Sequence, residues 1–562
     1  MSINHSSGNY RNTNQLSLDK KGDDLESGWG DREPLPRKQS IIIMAGVMLA
    51  IFLASLDQTI VATAIPKIVA SLGGFDHFSW ITTSYLVAST AIIPIVGKLS
   101  DIYGRRTFFL FGIAVFLTGS ILSGLSANMS QLIAFRAIQG VGGGTLMACA
   151  FIAVGDLYSP AERGKYMGFL AGIFALSSII GPVTGGALTD SFTWRWAFFI
   201  NIPLTIPIGL IFFFLFPKHK GVAESKEIDY IGIILLLIAV VPAMLGLSWG
   251  GSEHGWDSIR VLSSLGLAAI ASVLFIINEL RAPNPIMPLN LYSNPIMAVG
   301  LIITLLLGVT MFTGSVFMPL FFQGALGKSA TDSGLLSTTM MLGTVFGATL
   351  FGQLLSRFGG HYRILGLIGI IIMAIGLSLL TQIGTDVSLG FVIASMVIMS
   401  FGMGTTFPCF NIAIQNAVHY KDIGLATSSA QFIRSIGASA GLALLGSLLT
   451  TRFASKFMLN LPESAFNEIP ASLLADMKTN PNILMDNSKI GSLEAQINPL
   501  ITNKSNLIDT ILSVMQESLA ESIADIFVIA LVITVIAAIV TFWLKEIPLQ
   551  KRAGKEVELR SK

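Results

Sequence analysis

Two ionisable side chains stand inside long apolar runs of the sequence. Asp57 lies within Ile41–Ala64 and Arg136 within Leu132–Val154. A charge placed in hydrocarbon is costly and ordinarily faces a cavity or a partner. Asp57 lies about seven positions, or roughly 10 Å of helix, from the outer end of its run, and Arg136 lies at a similar depth, four positions from the outer end of its own. That matched depth permits an ion pair or a shared water network. Arginine keeps its proton, so it favours the ionised carboxylate until geometry or a ligand changes the balance. Intramembrane charges of this kind ordinarily serve function; the alternative is a purely structural buried pair. A third charge, Arg434, is the only basic residue deep in Gly424–Leu449. It can neutralise an anionic group, line a path, or pair with a carbonyl or an acid. Asn411 and Gln415, in the run Leu389–Ile414 and at its end, can contact a substrate or hold helices together.

A second set of residues is built for motion rather than for charge. Gly97, Asp101, Gly104, Arg105 and Arg106 crowd a short turn between two apolar runs. Gly97 lets helices approach, and Gly104 can supply a positive φ. The arginines can be simple anchors at the membrane surface, whereas an acid adds nothing to that role. Gly172, Ser178, Gly181, Gly185 and Gly186 place small residues where helices can pack closely. Among them, Pro182 removes one backbone donor and can bend the helix.

Positioning these residues calls for fourteen membrane-spanning helices. The chain of 562 residues is 52% hydrophobic and 12% charged, with mean hydropathy +0.71. Soluble domains carry about 25% charged residues, so a lipid bilayer is the solvent this chain requires. A helix crossing the hydrocarbon needs about 20 mostly apolar residues. Such runs occur at Ile41–Ala64, Phe78–Val96, Phe108–Leu125, Leu132–Val154, Tyr166–Leu188 and Trp196–Phe216, then as a close pair at Ile228–Leu247 and Ile259–Ile277. Six more follow at Ile296–Phe322, Gly334–Leu355, Ile364–Thr381, Leu389–Ile414, Gly424–Leu449 and Ile523–Leu544. With the amino terminus in the cytoplasm, twelve Lys and Arg fall in cytoplasmic connections and four in the opposite short ones. That bias places both termini on the cytoplasmic side of the cell membrane. The long external segment Thr450–Ser522 mixes charges and is expected to contain amphipathic helix.

The two halves of the chain repeat each other. Gly97, Leu99, Tyr103 and Gly104 match Gly352, Leu354, Phe358 and Gly359, and Gly144, Thr145, Cys149 and Ala153 match Gly404, Thr405, Cys409 and Ala413. Ordered matches of this kind suggest duplication of a six-span unit, although glycine is common here. Parallel repeats place a substrate path at their interface. The expected organisation is a disordered tail over 1–40, a six-helix bundle over 41–217, a linker with two inserted helices over 218–281, a second bundle over 282–544 and a tail over 545–562. In the second copy Ser356 stands for the acid of the turn, and Gly360 and His361 stand for the arginines.

These motifs resemble a known family. "GKLSDIYGRR" from Gly97 is similar to the loop motif of the major facilitator superfamily. "LDQTIVATAIP" from Leu56, "RAIQGVGGG" from Arg136 and "GIFALSSIIGPVTGG" from Gly172 resemble motifs of its fourteen-span drug:proton antiporters, the EmrB/QacA type. The resemblance covers roughly Ile41 to Leu544 and matches poorly in the external loop. It implies an all-α membrane protein with two six-helix bundles plus two inserted helices. It further implies proton-coupled antiport that exports small amphipathic or toxic compounds, as in multidrug efflux and drug resistance. Asp57 and Arg136 would carry proton coupling. Asp101, Arg105 and Arg106 would form a charge latch, weaker or absent in the second half. Gly172–Gly186 carries the feature the family associates with export. Small molecules, protons and the bilayer are the implied partners, and a periplasmic adaptor stays open.

Other classes find little support. Gly327-Lys328-Ser329 resembles the end of a phosphate loop, but Phe322 occupies the position where that motif requires glycine. The six histidines lie in tails, loops or span ends without zinc spacing, so neither a metal nor a cofactor is expected. Net charge of +2 gives no argument for nucleic acid. A membrane enzyme would need a convergent nucleophile, base or metal group. A sensor would be expected to carry a folded soluble domain, and neither tail reads as one. A dedicated exporter or uptake permease for a metabolite such as a siderophore remains the alternative within transport. Asp525, close to an end of the last run, reads as interfacial.

Overall fold

A computed structural model describes residues 36–72, 80–216, 227–251, 255–357, 360–462, 471–479, 483–484, 491 and 506–549. The expected disordered tail before residue 36, the tail beyond 549, and Phe358 and Gly359 of the repeat lie outside the described residues, as does much of the loop 450–522.

Among the described residues, fourteen helices are long and apolar enough to cross a membrane. We number them α1 Arg37–Leu72, α2 Trp80–Tyr103, α3 Arg105–Leu125, α4 Met129–Leu157, α5 Pro160–Ser191, α6 Trp196–Phe214 and α7 Tyr230–Gly251. The remainder are α8 Ile259–Glu279, α9 Pro295–Ala325, α10 Ala330–Arg357, α11 Tyr362–Leu380, α12 Leu389–Asn416, α13 Ile423–Asn460 and α14 Asn506–Thr541. Among the described residues there is no strand. α4 packs against α1, α2 and α3, while α5 and α6 lie on α1. In the second bundle α12 packs on α10 and α11, α13 on α9, and α14 on α9, α11 and α13. Burial follows this arrangement. The most apolar window of α4 is 78% buried, that of α8 only 17%. α4 therefore forms the inner wall of its bundle, and α8 faces lipid.

The bundles meet through α5 with α10, α2 with α13, α4 with α13 and α5 with α12. Their closest approaches gather at one end, where α5 begins and α10 finishes. A Cβ at Gly168 would stand 2.8 Å from Thr349 Cα and 2.9 Å from the Ala348 carbonyl oxygen. The inserted pair α7 and α8 packs on itself, and α7 also lies against α2 of one half and α13 of the other. At its far end, Trp249 meets Trp80 with ring centroids 5.8 Å apart, and Trp256 Nε1 donates to Ser447 Oγ at 2.8 Å.

Three boundaries differ from the sequence reading. Helix α1 starts at Arg37, inside the segment read as tail, and Gln39 Nε2 donates to the Leu215 carbonyl at 2.8 Å, tying it to the end of α6. α13 runs to Asn460 and α14 begins at Asn506, well beyond the apolar runs. Charges beyond and just inside the ends of those runs pair across the two helices: Lys456 Nζ stands 3.0 Å from Asp525 and 3.6 Å from Glu521. Asp525 is thus inside a continuous helix. Phe453, Phe457, Met477, Met515 and Leu519 extend the second bundle's core into this region. Finally, residues 545–549 of the expected tail dock on α11. Glu546 accepts the backbone N–H groups of Arg363 and Ile364 at 3.0 and 3.2 Å, which caps that helix.

Candidate functional site

Asp57 and Arg136 meet in the interior of the first bundle. Arg136 Nη1 donates to Asp57 Oδ2 at 2.6 Å, with both side chains essentially inaccessible to solvent. The other carboxylate oxygen accepts from Gln139 Nε2 at 2.7 Å and Asn201 Nδ2 at 2.8 Å. Arg136 also donates to Gln139 Oε1 at 2.8 Å and to the Ile81 carbonyl at 3.2 Å, and its guanidinium lies 4.4 Å from the Tyr85 ring centre. Asn201 continues the network to Ser120 Oγ at 2.9 Å, and Ser120 to the Phe198 carbonyl at 2.8 Å. Five helices, α1 to α4 and α6, therefore supply one polar cluster. Close backbone contact makes it possible: a Cβ at Gly119 would stand 2.6 Å from Gln139 Cα. A buried charge pair holds only when its remaining donors and acceptors are satisfied, and here nearly all are. Asn201 Oδ1 is the exception.

A second ionic cluster sits where the bundles touch. Arg105 contacts Asp101 and Ser100 and donates through Nε to Asp156 Oδ2 at 2.9 Å. Gly104, with φ of +92°, makes the turn that allows this. The cluster abuts the first turn of α13, since a Cβ at Gly424 would stand 2.6 Å from Arg105 Nη2 and 2.7 Å from Asp101 Oδ2. Ser428 of the same helix crosses α2 at Gly97, where an added Cβ would stand 2.6 Å from the serine Cβ. Arg106 belongs elsewhere: it binds the Phe213 carbonyl and lies 5.3 Å from that ring's centre, on the lipid-facing side of α6. Beside the ionic cluster, fully buried Arg163 donates to the carbonyls of Gly155 at 2.8 Å and Tyr158 at 3.1 Å and reaches Gln415 Oε1 at 3.4 Å across the interface. In the second copy of the turn, Ser356 bonds its own helix and His361 meets Glu546 at 3.3 Å in an exposed contact.

Between the bundles lies a cavity of about 150 Å³. Its wall is largely apolar, with Phe151, Phe174, Met403 and Phe407 contributed by both halves, and Arg434 is its one charged residue. Arg434 stacks on Phe407 at 4.2 Å and donates to Gln431 Oε1 at 3.0 Å. The sequence offered Asn411 and Gln415 for the same path, but neither lines the cavity. Asn411 donates to the Phe407 carbonyl at 2.9 Å, and Gln415 is occupied by Arg163 and by Thr427 at 3.0 Å. Both are buried; Asn411 bonds back to its own helix, and Gln415 ties α12 to α5 and α13.

The small residues of α5 divide by position. Gly181 and Gly185 pack on α1; a Cβ at Gly185 would stand 2.9 Å from the Ile60 carbonyl oxygen. Gly186 differs from the sequence expectation of close packing, because nothing lies within 4 Å of its Cβ position. One residue's rotation along the helix turns it away from α1. Pro182 is exposed within a helix assigned without interruption.

Sequence reasoning missed Gln139, Asn201, Asp156 and Arg163. Gln139 stands three residues after Arg136 and so on the same helical face, a readable signal. Asn201 is a lone amide in an apolar span, which also carried a signal. Nothing in the sequence joins Asp156 to Arg105, 51 positions away.

Helices in two bundles around a shared cavity, with ionic clusters buried beside it, define a polytopic membrane transporter. The sequence profile of the Major Facilitator Superfamily matches residues 47–442, and the chain belongs to that superfamily. It is 35% identical to Multidrug transporter protein MdtP of Bacillus subtilis, over 93% of this chain and 96% of that one. It is 36% identical to Multidrug resistance protein 3 of the same organism, over 88% and 93%. Among solved structures, the human organic anion transporter MFSD10 matches with a TM-score of 0.56 at 14% identity, over 89% of this chain and 100% of that one. The proton:xylose symporter XylE matches at 0.54 and 12% identity, over 93% and 99%. At those identities the likeness is one of fold.

Proposed function

We propose that the protein is a proton-coupled antiporter of the plasma membrane that exports small amphipathic compounds, with both termini cytoplasmic. The observation that carries this reading is the sealed Asp57–Arg136 pair. A carboxylate held by two side-chain amides and one arginine is a group whose protonation would rearrange its surroundings. Taking up a proton would weaken its hold on Arg136, and Gln139 and the Ile81 carbonyl are already placed to keep that guanidinium.

Helix α4 offers a physical connection from this pair to the rest of the machine. It carries Arg136, then Met147 and Phe151 on the cavity wall, then Asp156 at the closed end. With the Lys- and Arg-rich end placed in the cytoplasm, the contacts at Gly97, Gly168 and Gly424 close the inner side, and the cavity belongs to an outward-facing state. Proton entry at Asp57 would then loosen the α1–α4 contact and, through α4, the Arg105–Asp156 contact against α13. Relatives that bear multidrug names make amphipathic compounds the natural cargo.

The test is purified protein in proteoliposomes with an imposed pH gradient and a fluorescent amphipathic probe. Probe movement should reverse when the gradient is reversed and stop on addition of a protonophore. Movement indifferent to the gradient would overturn the coupling, and no movement above empty liposomes would overturn the transport reading.

A further inference from the structure

We infer that the central cavity selects amphipathic anions, with Arg434 as the residue that recognises their acidic group. The inference rests on reading the cavity as the substrate path. Arg434 is more than nine-tenths buried, and it is the single charged residue among those lining the cavity. Among the described residues, no carboxylate forms an ion pair with it. Its contacts are one hydrogen bond from Nη1 to Gln431 and the face of Phe407. The guanidinium has five N–H donors in a planar fork. Most of that fork is left without a protein acceptor on the wall of an otherwise apolar chamber.

This arrangement contrasts with the other buried arginines. Arg136 and Arg105 each have a carboxylate, and Arg163 is filled by carbonyls and Gln415. Among these arginines, Arg434 is the one that presents unspent donors to a space large enough for a ligand. A carboxylate, sulfonate or phosphonate would complete the fork in a bidentate way. Thr304, Thr344, Thr406 and Gln431 add neutral polar contacts, while Met403, Phe174 and Phe151 provide room for a planar apolar body. A quaternary ammonium in the same place would meet aromatic faces it can use, but also a fixed positive charge with no acid to offset it. Like charge in a dry site is a strong discriminator, because it disfavours the wrong ligand as well as favouring the right one.

The experiment uses full-length protein in nanodiscs and three probes sharing one ring system: 1-naphthaleneacetate, the neutral 1-naphthaleneacetamide and a (1-naphthylmethyl)trimethylammonium salt. Equilibrium binding should rank acetate above amide above ammonium, with about tenfold or more between the first and last. Arg434→Gln should remove most of the acetate preference, and Arg434→Lys, which keeps the charge without the fork, should restore part of it. The amide provides the folding check for each variant. Ammonium binding as tight as acetate in the wild type, or an acetate affinity untouched by Arg434→Gln, would overturn the anion assignment while leaving export intact. Failure of all three probes to bind saturably would overturn the cavity as a binding site. Loss of gradient-driven transport with the anion ranking preserved would instead count against proton coupling alone.

Discussion

Arg136 and Asp156 stand on one helix, twenty positions or about 30 Å apart, and each is half of an ion pair. The first meets Asp57 at 2.6 Å inside a bundle; the second meets Arg105 at 2.9 Å beside the interface between bundles. A rigid element with a charge pair near each end can report the state of one to the other, provided each pair has two arrangements.

We expect Asp57→Asn to reduce gradient-driven efflux to background while exchange of labelled for unlabelled probe persists, because the cavity wall does not include Asp57. Arg136→Gln should lose both drive and stability. Removing one partner of a buried pair costs about 3–5 kcal/mol, and Asp57 would keep only its amide donors. Efflux assays in proteoliposomes and thermal melting in detergent read the two effects separately. Wild-type gradient-driven efflux in Asp57→Asn would end the coupling role.

Much of this was legible in the sequence, and the parts that were not share a cause. Asp57 and Arg136 were visible because a charge inside an apolar run is conspicuous, and their similar depth already allowed a pair. The ends of α13 and α14 were hidden by the same rule applied in reverse. Arg452, Lys456 and Glu521 look like loop residues one by one and Asp525 like an interfacial one, yet Lys456 and Asp525 neutralise each other across two helices. Asn411 and Gln415 were ambiguous because an amide in a span can serve a ligand or a neighbouring helix with equal chemistry. Only tertiary placement decides: Gln415 bonds neighbouring helices here, and Asn411 bonds back to its own.

The Asp156 contact predicts non-additivity. Arg105→Gln and Asp156→Asn each break the same ion pair, so their combination should slow efflux little more than the worse single change. Coupled neighbours typically depart from additivity by about 0.5–3 kcal/mol, equivalent to a few-fold or more in rate. Efflux rates for the two single variants and the double variant measure this. Independent, multiplicative losses would mean that the pair is incidental to the closed end.

Orientation can be read with cysteine labels at exposed described positions. Ser388 lies between α11 and α12, and Asn290 between α8 and α9. The native Cys149 and Cys409 are buried and should give little background. A membrane-impermeant maleimide should label Ser388→Cys in intact cells, and Asn290→Cys only after permeabilisation. The opposite pattern would invert the assignment made from Lys and Arg bias.

Three glycines of α5 separate packing within a bundle from packing between bundles. Gly186 has open space at its Cβ position, so Gly186→Leu should leave abundance and efflux near wild type. Gly185→Leu forces a side chain against Ile60 of α1, inside the same bundle. Overpacking of this kind costs about 1–3 kcal/mol, and it should appear as a lower melting temperature in every transport state. Gly168→Leu meets Thr349 and Ala348 of the opposite bundle instead. The same cost would then fall only on the state in which α5 and α10 touch, and each 1.4 kcal/mol shifts a two-state balance about tenfold. We therefore expect Gly168→Leu to fold normally, to lose efflux, and to raise maleimide reactivity of a Ser356→Cys reporter at the closed end. Measuring melting temperature, efflux and reporter labelling for all three variants distinguishes them. Unchanged reporter labelling in Gly168→Leu, with efflux intact, would show that the α5–α10 contact does not gate the path.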